Sequence, residues 1–201
     1  FTDNGNNSCY SNLISSTNVN RQPAGKKRGS GFNWMRNGGF ERWLTSADMD
    51  AQAYGPWRIQ AGITLVRAGD GMADTEKHSG HYCAKVTAAG AALSIFYAGT
   101  MPAVQGAVAA TGRRGDPVTI SIWAKASAGT VACNIEANYN GGAFVDSVGF
   151  TATTTWTKFS ATFAMRETYT TFSPHFRIAD GATVYFDDAF ATAGEYESFS
   201  D

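Results

Sequence analysis

From residue 32 onward, apolar and polar residues alternate in short runs that glycine-containing turns separate. The clearest run is Val118 to Ala126, where Val118, Ile120, Ile122 and Ala124 alternate with Thr119, Ser121, Trp123 and Lys125. Successive strand residues point to opposite faces, so one side of this run belongs in a core. Val131 to Tyr139 repeats the pattern, with Val131, Cys133, Ile135, Ala137 and Tyr139 predicted inward and Asn134, Glu136 and Asn138 outward. A turn at Asn140-Gly141-Gly142 closes it.

The same reading predicts strands around Trp57 and Ile59, then over Ile63 to Arg67, His81 to Thr87, Ser147 to Thr151, Trp156 to Phe163, Phe172 to Ile178 and Thr183 to Phe190. In Phe172 to Ile178, Phe172, Phe176 and Ile178 share one face, with His175 and Arg177 on the other. Leu93 to Tyr97 is apolar apart from Ser94, which predicts a strand covered on both sides or set at a contact surface. Asp70 to Gly80 reads as a long polar loop. Nine or ten short strands with no alternating helices predict an all-β domain, an antiparallel two-sheet β-sandwich of the jelly-roll type. No internal repeat points to a propeller or a solenoid.

The first 31 residues break this pattern. They are rich in Asn, Ser and Gly and end in Lys26-Lys27-Arg28-Gly29-Ser30-Gly31, so they predict an irregular amino-terminal arm or linker that orders against a neighbouring subunit. The division expected is an arm over 1–31, the sandwich over 32–194 and a tail over 195–201. A net charge of -1 in 201 residues, 16% of them charged, offers no field for steering nucleic acid, and no apolar run is long enough to insert into a membrane. Neither a signal-peptide pattern nor an initiating Met stands at the amino terminus. Cys9, Cys83 and Cys133 are odd in number and widely spaced, which suits free thiols better than a disulfide framework or a zinc site.

Six short motifs follow one another in order: Asn37-Gly38-Gly39-Phe40-Glu41 with Trp43; Trp57; His78-Ser79-Gly80 leading into Tyr82-Cys83-Ala84-Lys85-Val86; the Val118 to Lys125 run; Thr155 to Phe163; and Val184-Tyr185-Phe186-Asp187-Asp188-Ala189. In this order they resemble the jelly-roll carbohydrate-binding modules of the group covering families 4, 9 and 22, a domain type also found in phage tail, fibre and other virion proteins. The resemblance spans roughly residues 37 to 191. It implies a structural calcium ion shared by the first and last strands, with Glu41 and Asp187 supplying carboxylate oxygens, Asp188 as an alternate, and backbone carbonyls near Gly39 and His78 completing the shell. Calcium takes six to eight oxygen ligands, so that donor set is chemically apt. The alternative is that Glu41 and Asp187 cap turns, or pair with Arg42 or Lys85.

Catalysis finds less support. Glycoside hydrolysis uses two carboxylates facing each other across a cleft, and only Glu136 stands on a clean strand face. His78, His81 and His175 lie in no nucleophile motif, and no phosphate-cradling glycine loop is present. A sugar-binding surface is better served: Trp123 and Lys125, with Thr119 and Ser121, are expected to share an outward face with Asn134, Glu136, Asn138, His175 and Arg177. The expectation is a non-catalytic glycan-binding module on a virion or extracellular surface, with other assembly subunits or a second copy as further partners. A structural decoration protein docked through its arm is the alternative.

Overall fold

The computed structural model describes residues 33, 35, 37–43, 57–97, 114–169 and 171–193. Among these residues ten strands form two antiparallel five-stranded sheets. They are β1 (Trp57–Ile59), β2 (Ile63–Gly69), β3 (Tyr82–Ala88), β4 (Leu93–Tyr97), β5 (Pro117–Ala126), β6 (Val131–Tyr139), β7 (Phe144–Ala152), β8 (Thr157–Ala164), β9 (Phe172–Ile178) and β10 (Thr183–Ala193). The first sheet runs β1-β4-β9-β6-β7 and the second β2-β3-β10-β5-β8. The chain is thus the all-β jelly-roll sandwich that the alternation predicts. The expected arm (1–31) and tail (195–201) lie outside the described residues, as does Cys9.

The core lies between the sheets and is built from the apolar half of each alternating run. From the first sheet come Trp57, Ile95, Cys133, Ile135, Ala137, Phe172, Phe176 and Ile178; from the second, Val86, Ile120, Ile122, Ala124, Val184 and Phe186. Phe176 meets Phe186 across the interface with ring centroids 5.9 Å apart, and Phe150 stacks on Phe159 at 4.1 Å. All five residues of β6 expected inward are buried. Burying each such side chain is worth about 1.5–3 kcal/mol, which fixes the register, since a one-residue slip would turn the whole set to solvent. Cys83 and Cys133 are buried free thiols; burial pushes both well above the usual thiol range, Cys133 to about 12, so they are unreactive in the folded chain.

Several strands outrun their expected limits, β7 and β10 by the most. β7 starts at Phe144, directly after the Asn140–Gly142 turn, and β10 continues to Ala193. In β10, Asp187 faces Trp123 of β5 whereas Phe190 faces Ser121, so one extra residue is inserted between them. That bulge kinks the strand beside its two acidic residues.

Candidate metal clasp and candidate ligand face

The segment Asn37 to Trp43 is tied to β10 by backbone and side-chain bonds. Ala189 N–H donates to the Gly38 carbonyl at 2.9 Å, Asn33 Nδ2 donates to the Ala189 carbonyl at 2.8 Å, and Ala191 N–H donates to Asn33 Oδ1 at 3.1 Å. Asn37 and Phe40 adopt left-handed φ values of 54° and 52°, a conformation that costs an L-residue about 1–2 kcal/mol. Asn37 offsets this by bonding the Arg42 backbone at both ends of its side chain, and Phe40 by full burial against Trp57 at 4.8 Å. Trp43 Nε1 donates to the Phe40 carbonyl, and Trp57 Nε1 donates to that of Asn37.

This clasp delivers acids to one place. Asp187 is fully buried; its Oδ2 accepts the backbone N–H groups of His78 and Ser79, both at 3.1 Å, and its Oδ1 accepts that of Asp188. Asp188, held at φ 45° by the bulge, accepts the Ser79 hydroxyl and faces His78 Nδ1, each at 2.8 Å. Burial pushes the Asp187 carboxyl up to about 6, Asp188 beside it adds to this, and the three N–H donors pull the other way. One ligand atom each from His78, Asp187 and Asp188 lies within 4.8 Å of the others.

Glu41 stands next to this group. Its Oε1 accepts His81 N–H at 2.9 Å and Tyr82 N–H at 3.4 Å, and it fills the space where a side chain at Gly80 would be. Gly39 lies between Glu41 and Asp188; a Cβ there would meet Asp188 Oδ1 at 3.5 Å and Glu41 Cγ at 3.8 Å. Neither Arg42 nor Lys85 pairs with Glu41 or Asp187: Lys85 goes to Asp74 instead, at 2.7 Å. Among the described residues no Lys or Arg neutralises Glu41, Asp187 or Asp188. The carboxylates of Asp187 and Asp188, the first of them buried, beside glycines that leave the backbone accessible are donors that fit a hard divalent cation, while Glu41 stands outside the group that lies within 4.8 Å. His78 brings a ring nitrogen, which calcium does not favour, so oxygen from its backbone is the suitable donor.

The expected common face of Trp123 and Asn134 does not form. β5 lies in the second sheet and β6 in the first, so their outward faces are on opposite sides of the sandwich. Moreover, the 70–81 loop lies across the β5 side. His78 stacks on Trp123 with ring centroids 3.8 Å apart, Lys125 pairs with Glu76 at 2.6 Å, and Asp74 accepts bonds from Lys85 and the Tyr185 hydroxyl. Thr119 and Ser121 are buried as well. Trp123 and Lys125 are therefore covered, and a polar loop that looked solvated in sequence proves to be a cover held by two acids and an imidazole.

The other half of the expected set does come together, on the outer face of the first sheet. Register places Asn134 beside Arg177, Glu136 beside His175 and Asn138 beside Ser173. The next strand adds Phe96 beside His175 and Ser94 beside Arg177. Phe96 and His175 stack with centroids 4.8 Å apart; Arg177 Nη1 lies 3.5 Å from Glu136 Oε1, and its Nη2 donates to the Ala92 carbonyl. Asn134 Nδ2 donates to Ser147 Oγ on β7. Burial pushes the His175 imidazole down to about 4, and Arg177 adds to this, so His175 is a neutral ring at pH 7. Phe96 was missed in sequence because Leu93 to Tyr97 shows no alternation to mark which residues face out. The face offers two stacked rings, a half-exposed guanidinium and amides across four adjacent strands.

Comparison with known proteins decides the family. The sequence model of the family described as carbohydrate binding domain matches residues 33–183. This chain belongs to the carbohydrate-binding domain family. No curated protein sequence matches it. The carbohydrate-binding domain is similar in fold to the first family 22 xylan-binding domain of a Paenibacillus barcinonensis protein, with a TM-score of 0.54 at 13% identity, covering 77% of this chain and 90% of that one. It is also similar to the C-terminal family 22 module of a Clostridium thermocellum protein, at TM-score 0.55 and 14% identity, covering 78% and 96%. A third likeness is to the enzymatically active domain of a bacteriophage CBA120 tailspike protein, at TM-score 0.50 and 13% identity, covering 80% of this chain and 21% of that one. At these identities the likeness establishes the fold alone. Among the described residues no helix is long and apolar enough to cross a membrane.

Proposed function

We propose that this carbohydrate-binding domain is a non-catalytic module that holds a glycan on the outer face of its first sheet. The observation that carries the reading is the contiguity of Phe96, His175, Arg177, Glu136, Asn134 and Asn138 on neighbouring strands. Apolar C–H faces of a sugar stack on the Phe96–His175 pair, and Arg177 and the two amides hydrogen-bond its hydroxyls. Glu136, buried behind Arg177, fixes the guanidinium. Among the described residues it is the one carboxylate on this face, which supports binding over glycoside hydrolysis.

The finer reading is attachment at a virion or extracellular surface, where the domain adheres to glycans and its residues 1–31 contact other subunits. The family supports glycan recognition, and the fold it shares with a tailspike domain is compatible with a virion setting. Calcium belongs to the same reading as the ion of the clasp, bound by Glu41, Asp187 and Asp188 through carboxylates and by Gly39 and His78 through backbone carbonyls. It would supply fixed positive charge that joins the amino-terminal segment to β10. A glycan array tests the function with three proteins: the parent, Arg177→Ala and Trp123→Ala. The parent and Trp123→Ala bind the same glycans, and Arg177→Ala loses roughly tenfold in affinity, equivalent to about 1.4 kcal/mol. Loss in Trp123→Ala with full binding by Arg177→Ala would move the site to the other sheet.

A further inference from the structure

The outermost strand of the first sheet, β7, lacks most of the devices that keep an edge from pairing. It is nine residues long and pairs with β6 without a register shift. It contains no Pro, Lys or Arg, and its one charge, Asp146, is drawn back onto Arg166 at 2.7 Å and the Tyr139 hydroxyl at 3.1 Å. Side chains on both of its faces are exposed: Val145 and Val148 are 43% and 44% accessible, and Ser147, Gly149 and Thr151 are exposed as well. The opposite edge, β1, has three residues, and in the second sheet the edge strands β8 and β2 carry Lys158 and Arg67. Among the described residues only the start of β7 is guarded, where Arg166 Nη2 donates to the Val145 carbonyl.

We infer that β7 pairs with β7 of a second copy of this chain, antiparallel across a two-fold axis, through the stretch Ser147 to Ala152. In an antiparallel edge every second residue turns its N–H and C=O outward, so this stretch presents a ladder ready to be matched. A second copy is the occupant that the chemistry favours. The edge is neutral once Asp146 is paired, so a two-fold brings no like charges together, and a net charge of -1 per chain opposes association little. The apolar Val148 needs an apolar neighbour, which an identical strand provides through its own Val148 or Phe150, whereas residues 1–31 are rich in Asn, Ser and Gly. Pairing joins two five-stranded sheets into one, and aligns two copies of the face that carries His175 and Arg177. This goes beyond the glycan reading and does not rest on it.

The test uses the full chain in light scattering and sedimentation over micromolar to hundred-micromolar concentrations. The parent should dimerise, Val148→Lys should be monomeric throughout with an unchanged circular dichroism spectrum, and Ile59→Lys, an equally exposed site on β1, should dimerise like the parent. Deleting residues 1–31 should leave the dimer in place. Single cysteines at 147 to 151 in a Cys9→Ser background then read the pairing directly. Only the residue at the two-fold faces itself closely enough for a disulfide, so cross-linking should peak at one position and fall off on both sides. A parent that stays monomeric, a Val148→Lys protein that still dimerises, a dimer lost with residues 1–31, or no cross-link at any of the five positions would each overturn the proposal.

Discussion

Gly38→Ala should damage this domain far more than its small volume suggests. A Cβ at that position would be driven into the carbonyl oxygen of Ala189, with Asn33 Nδ2 2.9 Å away and the Ala189 carbonyl carbon 3.2 Å away. The obstacle is backbone of β10, so relief requires Asn37 to Phe40 to move off the sheet. That movement breaks the bond from Ala189 N–H to Gly38 and loosens those that Asn33 makes to Ala189 and Ala191. Overpacking of about 1–3 kcal/mol and one or two lost hydrogen bonds at about 1 kcal/mol each sum to roughly 2–5 kcal/mol. For a domain of this size that is a fall in Tm of roughly 4–20 °C. Differential scanning calorimetry reads it, with Gly71→Ala as the control. Gly71 has φ 71° but open space around its Cβ, so its substitution costs only the left-handed backbone term, about 1 kcal/mol. If Gly38→Ala melts within about 2 °C of the parent, or no lower than Gly71→Ala, the clasp is not the tight joint described above.

Calcium in excess over its binding constant should raise Tm by roughly 5–10 °C relative to excess chelator, and Asp187→Ala should abolish that difference; identical melts with and without chelator would remove the ion from the clasp. His175 supplies a pH dependence. Its folded value of about 4 lies below the ordinary 6.5, so as pH falls the unfolded chain takes up the proton first. The stability this group contributes is complete above about pH 6.5 and declines toward pH 4, by about 2 kcal/mol once partial exposure is allowed for, and His175→Gln should flatten that part of the profile in urea titrations. Trp123→Ala should destabilise by about 2–3 kcal/mol, less than a fully buried Trp, because the His78 stack and its loop lose their support. Its glycan binding should be unchanged, and a loss of binding at full stability would return Trp123 to the ligand site.

Much of the architecture was legible because a two-residue period and deep burial act on the same residues. In β6 and β9 the inward sets and the outward His175, Arg177, Asn134, Glu136 and Asn138 follow directly from alternation. Alternation marks a face as outward, however, without saying of which sheet. β5 and β6 are consecutive and similarly patterned, yet the Ser127–Thr130 connection carries the chain from one sheet to the other, so Trp123 and Asn134 point in opposite directions. The 70–81 loop was unreadable for a different reason. Asp74, Glu76 and His78 have the composition of a solvated turn, and only their long-range partners Lys85, Tyr185, Lys125 and Trp123 turn it into a cover. The clasp was legible as a motif through its paired glycines and acids, whereas the bulge that aims Asp188 is a matter of register between β10 and β5.

Amide chemical-shift mapping locates a bound sugar on, or away from, the outer face of the first sheet. Isotope-labelled protein would be titrated with the tightest glycan from the array while shifts are followed residue by residue. The expected result is a continuous patch over β4, β9, β6 and β7 around Phe96, His175, Arg177, Glu136 and Asn134, with the 70–81 loop unmoved. Shifts centred on that loop and Trp123, or no glycan-dependent shift at all, would contradict it.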